Sequence, residues 1–125
     1  MSLTIRTQRL QDVRVLCLAG SISYGRDIEA LTGLITELLQ EHAAVLLDLE
    51  EVTTIDTAGV GALVVLYRWA QAGQARVAFC CPPTRISELL QGLDLREILQ
   101  IHQTREEAIE FLLASEAPAP SLSIG

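Results

Sequence analysis

Along this chain the apolar residues change period several times, and each change marks an element. From Leu3 to Leu10, Leu3, Ile5 and Thr7 alternate with Thr4, Arg6 and Gln8, the period of a half-exposed edge strand. Gln11-Asp12 predicts a turn. Val13, Val15, Cys17 and Ala19 then alternate with Arg14, Leu16 and Leu18, a more central strand paired antiparallel with the first. Gly20-Ser21-Ile22-Ser23-Tyr24-Gly25 breaks that pattern. From Arg26 to His42 the residues Ile28, Leu31, Leu34, Ile35, Leu38 and Leu39 recur at helical spacing, with Asp27 and Glu29 in the first turn. Ala43 to Leu49 is an apolar run that suits a strand covered on both faces.

A short acidic connection leads to Asp56, and a helix with almost no polar residues is predicted from Thr57 to Ala72, stopped by Gly73. Its apolar residues divide into two faces at about 100° per residue. Val60, Leu63, Val64 and Tyr67 are expected on the sheet, with Ala62, Val65 and Trp69 pointing away and Leu66 on the flank. Arg76 to Cys81 predicts a further buried strand, and Pro82-Pro83-Thr84 opens a helix through about Leu90 that Gly92 closes. Glu97 to His102 predicts a short strand. Thr104 and Glu107 have capping-box spacing ahead of Ala108, Ile109, Leu112 and Leu113. Residues 115–125 are rich in Pro, Ser and Ala and are expected to be a disordered tail to a single domain of residues 1–114.

The candidate chemistry lies where the apolar helix begins, at Asp56-Thr57-Ala58-Gly59-Val60-Gly61. Asp56 and Thr57 can both cap the free N–H groups of a first turn. Gly59 and Gly61 each cost roughly 1 kcal/mol of helix propensity relative to Ala, so their presence points to a close backbone approach, a small-molecule contact or a surface kept bare. A hydroxyl at a helix N-terminus is also well placed to carry a phosphate, because the dipole and the unpaired N–H groups favour an anion there. Read by itself, Thr57 is an ordinary capping threonine or a modification site.

This stretch resembles the signature of the STAS domain, shared by bacterial anti-sigma-factor antagonists and the cytoplasmic tails of sulphate transporters. The family pattern is Asp, Ser or Thr, any residue, Gly, a hydrophobic residue and Gly at a strand-to-helix junction, and it is matched in full at 56–61. The resemblance runs from about Leu3 to about Leu113 in element order. It implies an α/β fold: one STAS-like domain, a mostly parallel sheet opened by an antiparallel N-terminal hairpin, and about four helices packed mainly on one side. It also implies that Thr57 is the phosphoacceptor of a partner kinase, with Asp56 orienting the hydroxyl or capping the helix and Gly59 leaving room for the kinase. Ala58 and Gly61 complete the motif. Where antagonists carry acids after the second strand, this chain has Ser21 and Ser23. The implied partner is an anti-sigma factor that is a serine/threonine kinase of the histidine-kinase-like ATPase type. The alternative is a STAS accessory or scaffold subunit, of a stressosome or a transporter ATPase, not regulated by phosphorylation. Ala62, Val65, Leu66 and Trp69 are the expected partner or homodimer surface.

Composition narrows the choice. The 125 residues fit one domain, and no apolar run approaches the roughly 18–20 residues of a membrane span. The start of the chain has no signal-peptide pattern, so a cytoplasmic location is expected. A net charge of -7 argues against nucleic-acid binding, and the absence of lysine removes Schiff-base chemistry and a P-loop. Cys17, Cys80 and Cys81 are expected to be buried small hydrophobes. His42 and His102 lie far from them in sequence, and no catalytic spacing emerges. Asp48, Glu50 and Glu51 could in principle hold a hard cation, but a solvated acidic loop is the simpler reading. No metal, cofactor or catalytic residue is expected.

Overall fold

The computed structural model describes residues 3–41, 44–73 and 75–114. The expected tail, together with His42 and Ala43, lies outside the described residues. The chain begins with β1 (Leu3–Leu10) and β2 (Val13–Ile22), followed by α1 (Arg26–Gln40), β3 (Ala44–Ile55) and α2 (Thr57–Ala72). It continues through β4 (Arg76–Cys80), α3 (Thr84–Gly92), β5 (Ile101–His102) and α4 (Arg105–Ala114). The five strands lie side by side in sequence order. β1 pairs antiparallel with β2 from Leu3↔Gly20 to Leu10↔Val13, and every later pairing is parallel.

The expected α/β architecture is present, because helical connections between parallel strands must cover the sheet. One face carries α1, α2 and α3, whose Leu31, Ile35, Leu63, Leu66, Ile86 and Leu90 close over Leu16, Leu18, Val45, Leu47, Val77 and Phe79. The other face carries α4, where Ala108, Ile109 and Leu112 cover Val13, Val15, Ala44, Leu46 and Ala78. Thr104 accepts the N–H of Glu107 at its hydroxyl (3.1 Å), as the capping-box spacing predicts for α4.

The strand boundaries differ from the sequence reading in three respects. Gly20–Ile22 and the acidic connection are not loops: β2 runs on to Ile22 and β3 to Ile55. Their register slips between Cys17 and Ala19 and again between Gly20 and Ser21, with β3 supplying the extra residue each time. Leu49, Val52 and Ile55 therefore reach one core at spacings of three rather than two. A bulge breaks the period on which strand recognition depends, and here it does so twice. Secondly, Cys81 leaves β4 in a left-handed conformation (φ 64°), so the strand is one residue shorter than expected. Thirdly, β5 is confined to Ile101–His102, because the Leu99, Gln100 and Ile101 N–H groups bond back to Leu95, Glu97 and Arg96 in consecutive turns.

The orientation of α2 is corrected as well. Its buried stripe is Gly59, Val60, Leu63, Leu66 and Ala70. Leu66, expected on the outer surface, is fully buried, while Val64 and Tyr67 are only partly so. Small residues at both ends of the stripe, Gly59 and Ala70, let the helix lie close to the sheet on that side. Trp69 and Val65 point outward as expected, 47% and 43% exposed.

This orientation separates two substitutions by stability. Leu66→Ala is expected to cost roughly 2–5 kcal/mol through the cavity it leaves. Trp69→Ala is expected to cost under about 1 kcal/mol. Urea denaturation of the two variants measures the contrast, and equal losses would contradict the assigned face.

Candidate functional site

The junction of β3 with α2 is built from the end of β2 outward. The Ile22 carbonyl accepts the N–H of Asp56 (3.2 Å), which holds the start of α2 beside the β2 terminus. Gly59, one turn into the helix, then rests directly on Ile22. A Cβ there would overlap the Ile22 carbonyl oxygen and lie 2.8 Å from Ile55 Cγ1. Gly59 is therefore an internal packing requirement. Gly61 is the bare position: it is exposed, and a Cβ there would meet nothing within 4 Å.

Asp56 is the N-cap residue, in extended conformation. Its Oδ1 accepts the N–H of Gly59 (2.8 Å) and its Oδ2 accepts the N–H of Tyr24 (3.1 Å). The first bond satisfies a helix donor, and the second ties the β2–α1 loop to the same carboxylate. The Gly59 N–H, and after it the Tyr24 N–H, hold this carboxyl below its usual range. Thr57 is the first helical residue and is exposed. Ala58, beside it, is half-buried.

Ser21 is buried, with its hydroxyl 2.8 Å from Thr54 Oγ1 and 3.0 Å from Ser23 Oγ. It belongs to β2 and knits β2 to the end of β3, so it is not part of an exposed recognition loop. Ser23 is half-buried. A residue that the sequence did not single out is Tyr24, 86% exposed and bonded through its backbone to Asp56. An isolated aromatic in a Gly- and Ser-rich loop was its only signal. Gly61, Val65 and Trp69 are exposed along the outer side of α2, and Ala62 is half-buried among them.

A second polar cluster occupies the other face of the sheet. Asp48 is buried rather than part of a solvated acidic loop, whereas Glu50 and Glu51 are exposed on β3. Arg105 Nη2 donates to Asp48 Oδ2 (2.6 Å) and approaches Cys17 Sγ (3.5 Å), and the Glu50 N–H donates to Asp48 Oδ1 (2.9 Å). The hydrogen bond to Asp48 raises the pKa of Arg105 further. Cys80 is buried as expected, and burial pushes its thiol far above the usual range. Cys17 and Cys81 are only half-buried, because Cys17 lies at the polar end of the α4 face and Cys81 lies past the strand end. An open cavity of about 700 Å³ is lined by Gln91, Asp94, Arg96, Glu97, Gln100 and Ile101, away from the Asp56–Gly61 junction.

Residues 4–108 match the family described as STAS domain. The chain belongs to the STAS domain family. No curated protein matches its sequence significantly. Among solved structures, the TM1081 protein of Thermotoga maritima superimposes with a TM-score of 0.77 at 19% identity, over 87% of this chain and 94% of that one. The anti-sigma factor antagonist SpoIIAA in its unphosphorylated form gives 0.72 at 19% identity, over 89% and 97%. The murine anion transporter Slc26a9 contains a similar unit: TM-score 0.71 at 14% identity, covering 86% of this chain and 19% of that one. At such identities the likeness establishes the STAS fold. Among the described residues, no helix is long and apolar enough to cross a membrane.

Two outcomes check this geometry. Gly59→Ala is expected to destabilise the fold by roughly 2 kcal/mol or more, because a backbone atom must move. Gly61→Ala, in open space, should stabilise it by about 0.5–1 kcal/mol through helix propensity. Thermal unfolding of the pair distinguishes a packing glycine from a bare one. The second outcome concerns pH. A carboxyl held below its unfolded value contributes stability that is present above about pH 3.9 and lost as pH falls through the folded value. Asp56→Asn should therefore flatten the acid limb of stability below about pH 4. An acid limb identical to that of the parent would show that the cap does not carry it.

Proposed function

We propose that this STAS domain is a binding switch of the anti-sigma-factor-antagonist type, controlled by phosphorylation of Thr57. The observation that carries this reading is the division of labour at the start of α2. Asp56 performs the capping, which leaves the Thr57 hydroxyl free of a structural duty at an exposed helix N-terminus. The partner is an anti-sigma factor that is itself a serine/threonine kinase, and the protein works in the cytoplasm by binding rather than catalysis. SpoIIAA, a structural relative, has been solved in a phosphorylated form, and this supports the same chemistry at the matching motif here.

The chemistry of the switch follows from charge. A phosphate adds roughly -1.5 to -2 at neutral pH. On Thr57 it would stand next to the ionised Asp56, whose two carboxylate oxygens already take the Gly59 and Tyr24 N–H groups. The added charge then acts mainly outward, on a docked partner, and like charges across an interface are strongly unfavourable. Gly61, Val65 and Trp69 offer an apolar contact strip that runs along the outer side of α2 away from the modified residue. Trp69 is its anchor, about 18 Å along the helix. The exposed Tyr24 lies in the loop tied to Asp56. Ala62 flanks that strip. Ser21 and Ser23 support the loop that carries Tyr24. The same strip could equally serve a second copy of the chain. An accessory subunit without phosphorylation is the second reading, and the similar unit inside an anion transporter favours it.

Incubation with a neighbouring serine/threonine kinase and ATP, read by mass spectrometry of the Thr57 peptide, tests the switch. One phosphate on Thr57 is expected, and none on Thr57→Ala. Thr57→Glu should weaken partner binding by roughly tenfold or more, and Trp69→Ala by about 2 kcal/mol with the fold intact. Full-strength binding by Thr57→Glu together with an unmodified Thr57 would leave the accessory reading in place.

A further inference from the structure

We infer that Asp48, Cys80 and Cys81 form a binding site for a thiophilic divalent metal ion of the zinc class. The carboxylate oxygen and the two sulfurs lie within 4.8 Å of one another. The sheet register brings them together: Cys17 pairs with Asp48, and Asp48 with Cys80, at the polar end of the otherwise apolar face beneath α4. Continuing the strand would send the side chain after Cys80 to the opposite face. Cys81 instead adopts φ 64°, a region that non-glycine residues seldom occupy, and its thiol joins the same cluster as that of Cys80.

The donor set selects the ion. Two thiolates and one carboxylate suit zinc, whereas calcium and magnesium prefer an all-oxygen shell. Zinc bonds of about 2.3 Å to sulfur and 2.0–2.2 Å to oxygen place tetrahedral ligands roughly 3.5–3.8 Å apart. Small side-chain rotations bring the three donors to that spacing. Each thiol releases its proton to solvent as its sulfur–metal bond forms. The ion and its three anionic ligands then carry one excess negative charge, which the Arg105 guanidinium cancels from 2.6 Å away on Asp48 Oδ2. Asp48 Oδ1 also takes the Glu50 N–H, so the carboxylate is oriented from both sides, as ligating carboxylates generally are. An open depression of about 490 Å³, lined by Asp48, Cys81, Thr104 and Arg105 among others, offers an entry path and a fourth position for water. The site is independent of the Thr57 switch.

The test uses the reduced full chain, freed of metal by chelator dialysis and titrated anaerobically with Co²⁺. About one equivalent should bind, with thiolate-to-cobalt charge-transfer absorption that Zn²⁺ abolishes by displacement. Cys81→Ser should weaken binding at least tenfold and remove much of that absorption, whereas Cys17→Ser should leave both unchanged. A second measurement needs no variant: alkylation and mass spectrometry of the native parent chain should show the half-buried Cys81, but not Cys17, protected by Zn²⁺. Absence of the charge-transfer band at excess Co²⁺, undiminished binding by folded Cys81→Ser, or unchanged alkylation of Cys81 with Zn²⁺ would each overturn the proposal.

Discussion

The arrangement of this domain depends on how closely the first turn of α2 approaches the end of β2. One carbonyl, that of Ile22, accepts the Asp56 N–H and also lies against the Cα of Gly59. No residue with a side chain fits that contact without displacing backbone. Once the turn is seated, the Asp56 carboxylate lies between the Gly59 and Tyr24 N–H groups and fastens the β2–α1 loop to the helix start. The exposure of Thr57 follows from the same contact, since it occupies the first helical position after a residue that already caps the helix.

The two register slips in β3 are what bring that contact about. They add length to β3 relative to β2, so that Ile55 pairs with Ile22 and the chain turns into α2 beside it. Local twist and bending increase at bulges, and these stand immediately before the motif that carries the exposed hydroxyl. The inner row Leu49, Val52 and Ile55 stays in the core while Glu50, Glu51 and Thr53 remain outside. The acidic stretch is thus structural on one side and solvated on the other.

The face beneath α4 follows a different logic. Its interior is aliphatic until the strands reach Cys17, Asp48 and Cys80, where a buried carboxylate must be compensated. Arg105, the first residue of α4, supplies the compensating charge and so links the docking of that helix to the sheet. Removing one partner of such a pair leaves an uncompensated buried charge, which generally costs more than the pair itself contributes. The ion pair and the two thiols form one electrostatic unit at the mouth of an open depression.

Local chemistry was enough to determine much of this from sequence. The opening hairpin, the limits of α2, the Asp56 cap, the Thr104 cap and the outward Trp69 rest on period, propensity and capping, which act over a few residues. The family motif at 56–61 was legible for the same reason. What the tertiary structure decided depends on neighbours distant in sequence. α2 is apolar nearly all round, so its periodicity could not choose between Leu66 and Tyr67, and only contact with the sheet buried Leu66. Gly59 and Gly61 look alike in a sequence, yet one is pressed against a backbone carbonyl 37 residues earlier and the other faces open space. Ser21 read as loop because a bulge hides the strand period. Asp48 and Arg105 are 57 residues apart, and nothing local to either predicts a shared burial. Charge pairing, close backbone approach and bulged register are properties of the assembled chain, and they set the part of the site that sequence could not resolve.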